Sequence, residues 1–378
     1  MESKIVTANE NKTRSSNIEL FRIISMFLIV AHHYVINSGL FDLIKLSPTS
    51  GNSIFLLILG AWGKTGINCF MMITGYFMCT SKITLKKYIK LLLEVMLYKV
   101  IIYIILAICG YETVSLLRIV KLILPVTSVE TNFTGCFLLF YLCIPFLNIL
   151  VKNLTEKKHL LLILLSGVIY VFFGTVPKLG VLMNYVSWFI VLYFIASYVR
   201  LYQRKIFEKT ALWGILSLLF LGLSVASILV CIFVGPRIGI EFSPYLFVQD
   251  SNTFLALATG FSLFMFFKNL KIKDSKFINL ISSATFGVLL IHASSDAMRT
   301  WLWEDTFKNC EYFNSNYLAL HALLTVVIVY AACTLIDIIR QKIIEKPFMK
   351  LWDKIEPKIS NFFGKIYEKL KTKFNIGE

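Results

Sequence analysis

Residues 17–34 read "NIELFRIISMFLIVAHHY", and how this stretch is read decides the fold. Its apolar residues lie on every side of a helix, as in a segment immersed in hydrocarbon. Yet Glu19, Arg22, His32 and His33 interrupt it. Working outward, the chain is 57% hydrophobic and 16% charged, with a mean hydropathy of +0.73. A soluble domain carries about a quarter charged residues. The apolar residues come in blocks close to the ~20 needed to cross a hydrocarbon core of ~30 Å. These observations exclude a soluble enzyme and predict an all-α, polytopic membrane helix bundle.

The blocks fall near 21–40, 53–79, 91–109, 132–151, 159–174, 181–199, 211–235, 245–267, 277–295 and 316–339. About ten transmembrane helices are therefore expected. The connections at 80–90, 152–158, 200–210 and 268–276, with both termini, hold most of the 38 Lys and Arg. That asymmetry places both termini in the cytoplasm of a multi-pass membrane protein. The net charge of +16 then describes one membrane face, with anionic lipid as its partner. No nucleic acid is implied, because no nucleic-acid module accompanies these charges.

Three regions are expected. Residues 1–16 are a polar, disordered cytoplasmic tail without the pattern of a cleavable targeting segment. Residues 17–348 form the membrane domain, with no appended hydrolase-like domain. Residues 349–378 form a basic amphipathic cytoplasmic tail, in which Ile359, Phe362, Ile366, Leu370 and Phe374 recur at helical spacing after Pro357. This pattern suits a helix lying on the membrane surface. The eight cysteines sit mostly in apolar blocks without paired spacing, so neither a disulfide framework nor a metal site is indicated.

Arg22 and His33 are eleven positions apart, which at 100° per residue is only about 20° from three full turns. They share a face, about 16 Å apart along the axis, with Arg22 near the cytoplasmic boundary and His33 near mid-membrane. His32 is turned about 80° away. Ionisable groups at such depth usually face a cavity or a partner. The alternative is that Arg22 snorkels to lipid phosphate and His33 merely bonds a neighbouring helix.

Further motifs bear on that choice. "GINCFMMITGYFM" at 66–78 leads into "CTSKITLKKYIK", "SSATFGVLLIH" ends on His292, and "IIEKP" closes the last block. Arg-x10-His, a Phe-x3-Thr-Gly-Tyr segment, a basic pair, Leu-Ile-His and Glu-x-Pro occur in that order. The ordered set resembles the acyltransferase 3 family, membrane enzymes that acylate surface glycans and related acceptors, over residues 17 to 348.

The resemblance implies O-acetylation, with acetyl-CoA as cytoplasmic donor and a hydroxyl of a cell-surface or exported polysaccharide as acceptor. It makes His33 the catalytic base, with Arg22 and Glu345 in the catalytic set. Lys87 and Lys90, with Arg22, would hold the coenzyme A phosphates; the family more often carries arginines there, and lysine gives a point charge without a bidentate fork. An imidazole titrating near neutrality suits removal of a hydroxyl proton. Glu345 would pair with Arg22 or a cytoplasmic lysine. His292, Asp296, Trp301 and Trp303 are candidate acceptor contacts, with Tyr312, Phe313, Arg299, Glu304 and Asp305 nearby, although Trp and Tyr also populate membrane interfaces on purely physical grounds. His159 is expected to be solvated, and His321 is assigned no role. A bacterial cytoplasmic membrane is the expected location. The rival readings are a glycan or small-anion transporter using the intramembrane His and Arg, and a transferase of succinyl or another short acyl group.

Overall fold

The computed structural model describes residues 15–123, 133–177, 179–240 and 242–374. It is 79% helical, and no strand occurs among the described residues, so the expected all-α class holds. The proposed tail at 1–16 lies outside the described residues except for Ser15 and Ser16, and Ser16 already opens the first helix.

Helix α1 spans Ser16–Ile36, α2 Leu40–Leu46, α3 Gly51–Gly60, α4 Gly63–Met78 and α5 Leu85–Ile108. Then come α6 at Leu116–Ile123, α7 at Phe133–Asn153 and α8 at Glu156–Thr175, which contains a π turn. Helices α9 at Tyr185–Leu201, α10 at Thr210–Phe233 and α11 at Phe254–Asn269 follow. A bent pair, α12 at Lys276–His292 and α13 at Asp296–Thr306, precedes α14 at Leu318–Arg340. A π turn at Gln341–Glu345 leads directly into α15, Lys346–Phe374.

Local chemistry starts these helices where the sequence offers a short polar side chain. Ser50, Thr84, Thr155, Asn184, Ser275 and Ser295 each accept a bond from the amide three residues on. Each such cap satisfies a donor that the first turn leaves orphaned.

Among the described residues, seven helical segments are long and apolar enough to cross a membrane, or eight if the bent pair is one span. The expected count of about ten came from apolar blocks, not from helix lengths. Helices α9 and α11 have 17 and 16 residues, about 26 and 24 Å, short of a full core. In the eighth block the apolar residues 245–248 are spent in turns rather than helix. The ninth breaks at 293–295 and turns by 101°.

The tenth block corrects a second expectation. The "IIEKP" motif, which closes the last apolar block, does not end the helix: the chain stays helical through Pro347 and Pro357. Pro347 removes one N–H from a continuous helical ladder, and the wider π turn just before it takes up the change of register. The amphipathic tail is therefore helical from Lys346 rather than from Pro357 onward. Its proposed face lies partly outside the described residues, at the side chains of Phe362, Leu370 and Phe374.

Helix α1 is central and packs against α3, α4, α11, α12 and α14. Just over half of its best apolar window is buried, against under a third for α5, α8 and α10 at the periphery. Without a hydrophobic drive between helices in lipid, close packing and polar bonds hold such a bundle. Both are present. Gly66 lies against Ser25 and Ile29, and Gly75 against Ala196 and Tyr193. Asn68 donates to the Ser251 carbonyl at 2.7 Å and accepts from the Trp188 indole at 2.9 Å. Asn17 donates to the carbonyls of Phe267, Lys268 and Leu270, which locks the start of α1 to the end of α11.

His159, expected to be solvated, is fully buried. Its Nε2 donates to the Phe194 carbonyl at 3.0 Å. The ring lies inside a cluster with Tyr198 and Tyr202. The lysines beside it in sequence suggested a wet boundary, but the helix turns the imidazole inward.

Candidate active site

The last turn of α1 carries the two histidines. Asn37 and Ser38 leave the helix and Gly39 adopts φ +72°, a left-handed conformation that glycine takes without strain. The helix thus ends at Ile36, and His33 stands in its final turn.

His33 Nδ1 lies 2.9 Å from His292 Nε2, and His292 Nδ1 lies 2.6 Å from the Val288 carbonyl. A carbonyl only accepts, so His292 carries its proton on Nδ1 and offers a lone pair at Nε2. His33 must then donate from Nδ1, which leaves its Nε2 with a lone pair. This is how an anchored partner fixes a histidine tautomer. His292 is fully buried, whereas His33 keeps part of its surface exposed. The sequence placed these residues 259 positions apart without linking them; the fold makes them a pair.

His32 points elsewhere, with Nδ1 2.5 Å from the Gly60 carbonyl. Its ring fills the space above Gly63, where a Cβ would overlap it. Tyr34 donates to His321 Nδ1 at 2.8 Å, and His321 Nε2 donates to the Phe307 carbonyl at 3.0 Å. His321, assigned no role from sequence, ties the end of α1 to α14 and to the segment after α13.

The candidate acceptor contacts separate. His292 and Trp303 are both fully buried, their ring centroids 6.4 Å apart, so Trp303 cannot stack on a sugar in this arrangement. A 101° break separates Asp296 from His292, so the two do not share a continuous helix. It is exposed and pairs with Arg299 at 2.7 Å. Trp301 remains exposed. Tyr312 is stacked on His321 at 3.8 Å and Phe313 is buried. Asp305 accepts from Tyr111, and Glu304 is exposed.

At the other end of the bundle a cavity of about 550 Å³ is lined by Thr84, Lys86, Lys87, Lys90, Glu345, Lys346, Met349, Lys350 and Asp353. Its size is in the range of small-molecule sites. The fold thus brings Lys87, Lys90 and Glu345 together. Lys90 pairs with Glu345 at 2.7 Å, Lys86 pairs with Asp353, and Lys87 donates to the Lys82 carbonyl at 2.8 Å. Lys346 and Lys350 escaped the sequence reading. The lysines at 342, 346, 350, 354 and 358 recur every four residues, a spacing that sets neighbours such as Lys346 and Lys350 on one helix face and was available as a signal. Arg22 is not in this lining. Its guanidinium sits 3.8 Å from Glu19 and over the Phe70 ring at 6.0 Å.

Behind the cavity lies a buried charge network that sequence reasoning missed. Arg340 reaches Glu94 at 3.1 Å, Asp337 at 2.7 Å and Glu345 at 2.9 Å. Asp337 also accepts from Tyr98 and from Gln341, both at 2.7 Å. The π turn places Glu345 so that one carboxylate meets both Arg340 and Lys90. The signals were Glu94 inside "LLLEVML" and the "DIIR" that closes α14. Gly287 lies directly against Asp337, where a Cβ would overlap the carboxyl. Replacing Gly287 with alanine should therefore destabilise the protein by about 1–3 kcal/mol, the usual cost of overpacking, read as a lower unfolding temperature in detergent.

The lysine cavity and a smaller one beside Ser294 do not include His33 in their linings. What the bundle offers chemically is an oriented imidazole at one end and a lysine-lined cavity of small-molecule size at the other. Among the curated proteins and among the solved structures, no match was found. The sequence model of the acyltransferase domain Acyl_transf_3 matches residues 15–338, ending just before Arg340 and Glu345. With a match that covers nearly all of the helical bundle, the chain belongs to the acyltransferase 3 family.

Proposed function

We propose that the protein transfers an acetyl group from acetyl-CoA to a hydroxyl of a cell-surface or exported polysaccharide, across a bacterial cytoplasmic membrane. Membership in an acyltransferase family and the seven or eight membrane-length segments support transfer within a bilayer. The observation that carries the reading is the His33–His292 pair, because it leaves a lone pair on the Nε2 of a residue that is not fully buried.

His33 Nε2 takes the acceptor's hydroxyl proton as the oxygen attacks the thioester carbonyl. The C–S bond breaks as the tetrahedral intermediate collapses, and the thiolate leaves with that proton as free coenzyme A. His292 is a positioning residue that holds the His33 ring and its tautomer. Both termini face the cytoplasm in this reading, consistent with the lysine bias, so the lysine cavity opens toward the cytoplasmic pool of donor. Lys87, Lys90, Lys346 and Lys350 would hold the donor's phosphates as charge-assisted partners, with Glu345 orienting Lys90. In this reading Arg22 would meet the extended donor arm.

The test is incubation of the purified protein with labelled acetyl-CoA and candidate glycans. His33-dependent release of free coenzyme A, with label on the glycan, supports the enzyme. Glycan flux without thioester cleavage points to the transporter reading, and mass spectrometry of the modified glycan separates acetyl from succinyl. The Lys87→Gln, Lys90→Gln double variant should raise KM for acetyl-CoA by about tenfold or more, as expected for lost charged hydrogen bonds, with little change in kcat. An unchanged KM would remove these lysines from the donor site.

A further inference from the structure

A second cavity, of about 150 Å³, is lined by Lys99, Tyr103, Glu112, Arg118, Lys121 and Ser294, with Ile102, Leu122 and Ser295 completing it. Three cations thus face one carboxylate. Lys99 sits well inside α5, in "EVMLYKVIIYIIL", and no ion pair reaches it among the described residues. A lysine inside a membrane helix is costly, and such residues mark substrate or ion paths. Arg118 and Lys121 are three apart on α6 and so share a face; Arg118 pairs with Glu112. The hydroxyl of Ser294 is buried without a hydrogen-bond partner. Ser294 and Ser295 form the break between α12 and α13, immediately after His292. The cavity is thus lined by a residue two positions along the chain from His292, which holds His33.

We propose that this cavity binds an anionic group, a carboxylate or a phosphate, on the acceptor, so that the protein selects acidic glycans over neutral ones. The inference rests on the acyl-transfer reading and adds a substrate class to it. Lys99 and Lys121 supply charge, Arg118 shares its guanidinium between Glu112 and the ligand, and the Ser294 hydroxyl gains the partner it lacks. The acid group held here leaves a neighbouring sugar hydroxyl at the His292 end of the break, toward His33. Lys99, partly buried inside α5, binds an anion better than a fully solvated lysine does, whereas a neutral sugar leaves it uncompensated.

The experiment measures binding of glucuronate, glucose 6-phosphate and glucose to the full-length protein in detergent, by isothermal titration, without acetyl-CoA. At least one acidic sugar should bind about tenfold or more tighter than glucose, which corresponds to one charged hydrogen bond. Comparing the two acidic sugars distinguishes carboxylate from phosphate. The preference should vanish in Lys99→Gln, weaken in Lys121→Gln, survive in Lys99→Arg, and be intact in His33→Gln. Equal affinity for all three sugars, or a preference that Lys99→Gln and Lys121→Gln both leave unchanged, overturns the proposal. Because binding is read without transfer, loss of the acyl-transfer reading would show separately, as acetylation that persists in His33→Gln.

Discussion

Replacing His33 with glutamine is expected to lower kcat for the proposed acetyl transfer by about 10²–10⁴-fold, the usual contribution of a positioned general base. Glutamine retains a hydrogen-bonding side chain of similar reach but has no basic nitrogen. The KM for acetyl-CoA should barely move, since the lysine cavity does not include His33. His292→Asn should give a smaller loss. His33 keeps its imidazole there but loses the Nε2 acceptor that sets its tautomer, and a residue acting through another usually costs less than the one it orients. Steady-state release of free coenzyme A, measured for both variants beside the parent, checks the order. If His33→Gln turned over at the parental rate, the base would have to be sought elsewhere.

The second large effect concerns stability. Arg340→Met should destabilise the bundle by about 3–5 kcal/mol, because removing one partner of a buried ion cluster leaves charge uncompensated. Arg340 is 5% exposed, and three carboxylates, Glu94, Asp337 and Glu345, depend on it. Lys90 relieves only Glu345. The check is a thermal unfolding series in which Glu94→Gln is added to Arg340→Met. With one negative charge removed, the double variant should recover part of the loss, a coupling that two independent sites would not show. Purely additive losses would mean that Arg340 acts through packing. Since Glu345 lines the lysine cavity, the single variant should also weaken acetyl-CoA binding in the proposed reaction.

Much of the fold was legible from residue type alone. Long apolar blocks, the scarcity of charge and the lysine-rich connections require helices in hydrocarbon, because an unpaired backbone group there costs several kcal/mol. The Arg-x10-His spacing and the ordered motifs pointed to the family that the sequence comparison shows. Helix counting was less secure. Apolar composition does not distinguish the full span of α10 from the shorter α11, nor from a helix that breaks at Ser294 and Ser295.

What the sequence by itself determined is therefore the solvent of this chain and the period of its helices. Both follow from properties each residue carries regardless of its neighbours: apolar surface, charge and a fixed turn per residue. Only the tertiary structure decided which polar groups meet. His33 finds His292 across 259 positions, Arg340 gathers Glu94 from a distant helix, and His159 turns inward where its lysine neighbours suggested water. Trp303 is enclosed rather than offered to a sugar. Such pairings depend on the angles and registers at which helices pack, and these arise from contacts summed over the whole bundle. A bend of 101° at two serines was enough to set Asp296 apart from His292 and to open beside it the cavity that Lys99 faces.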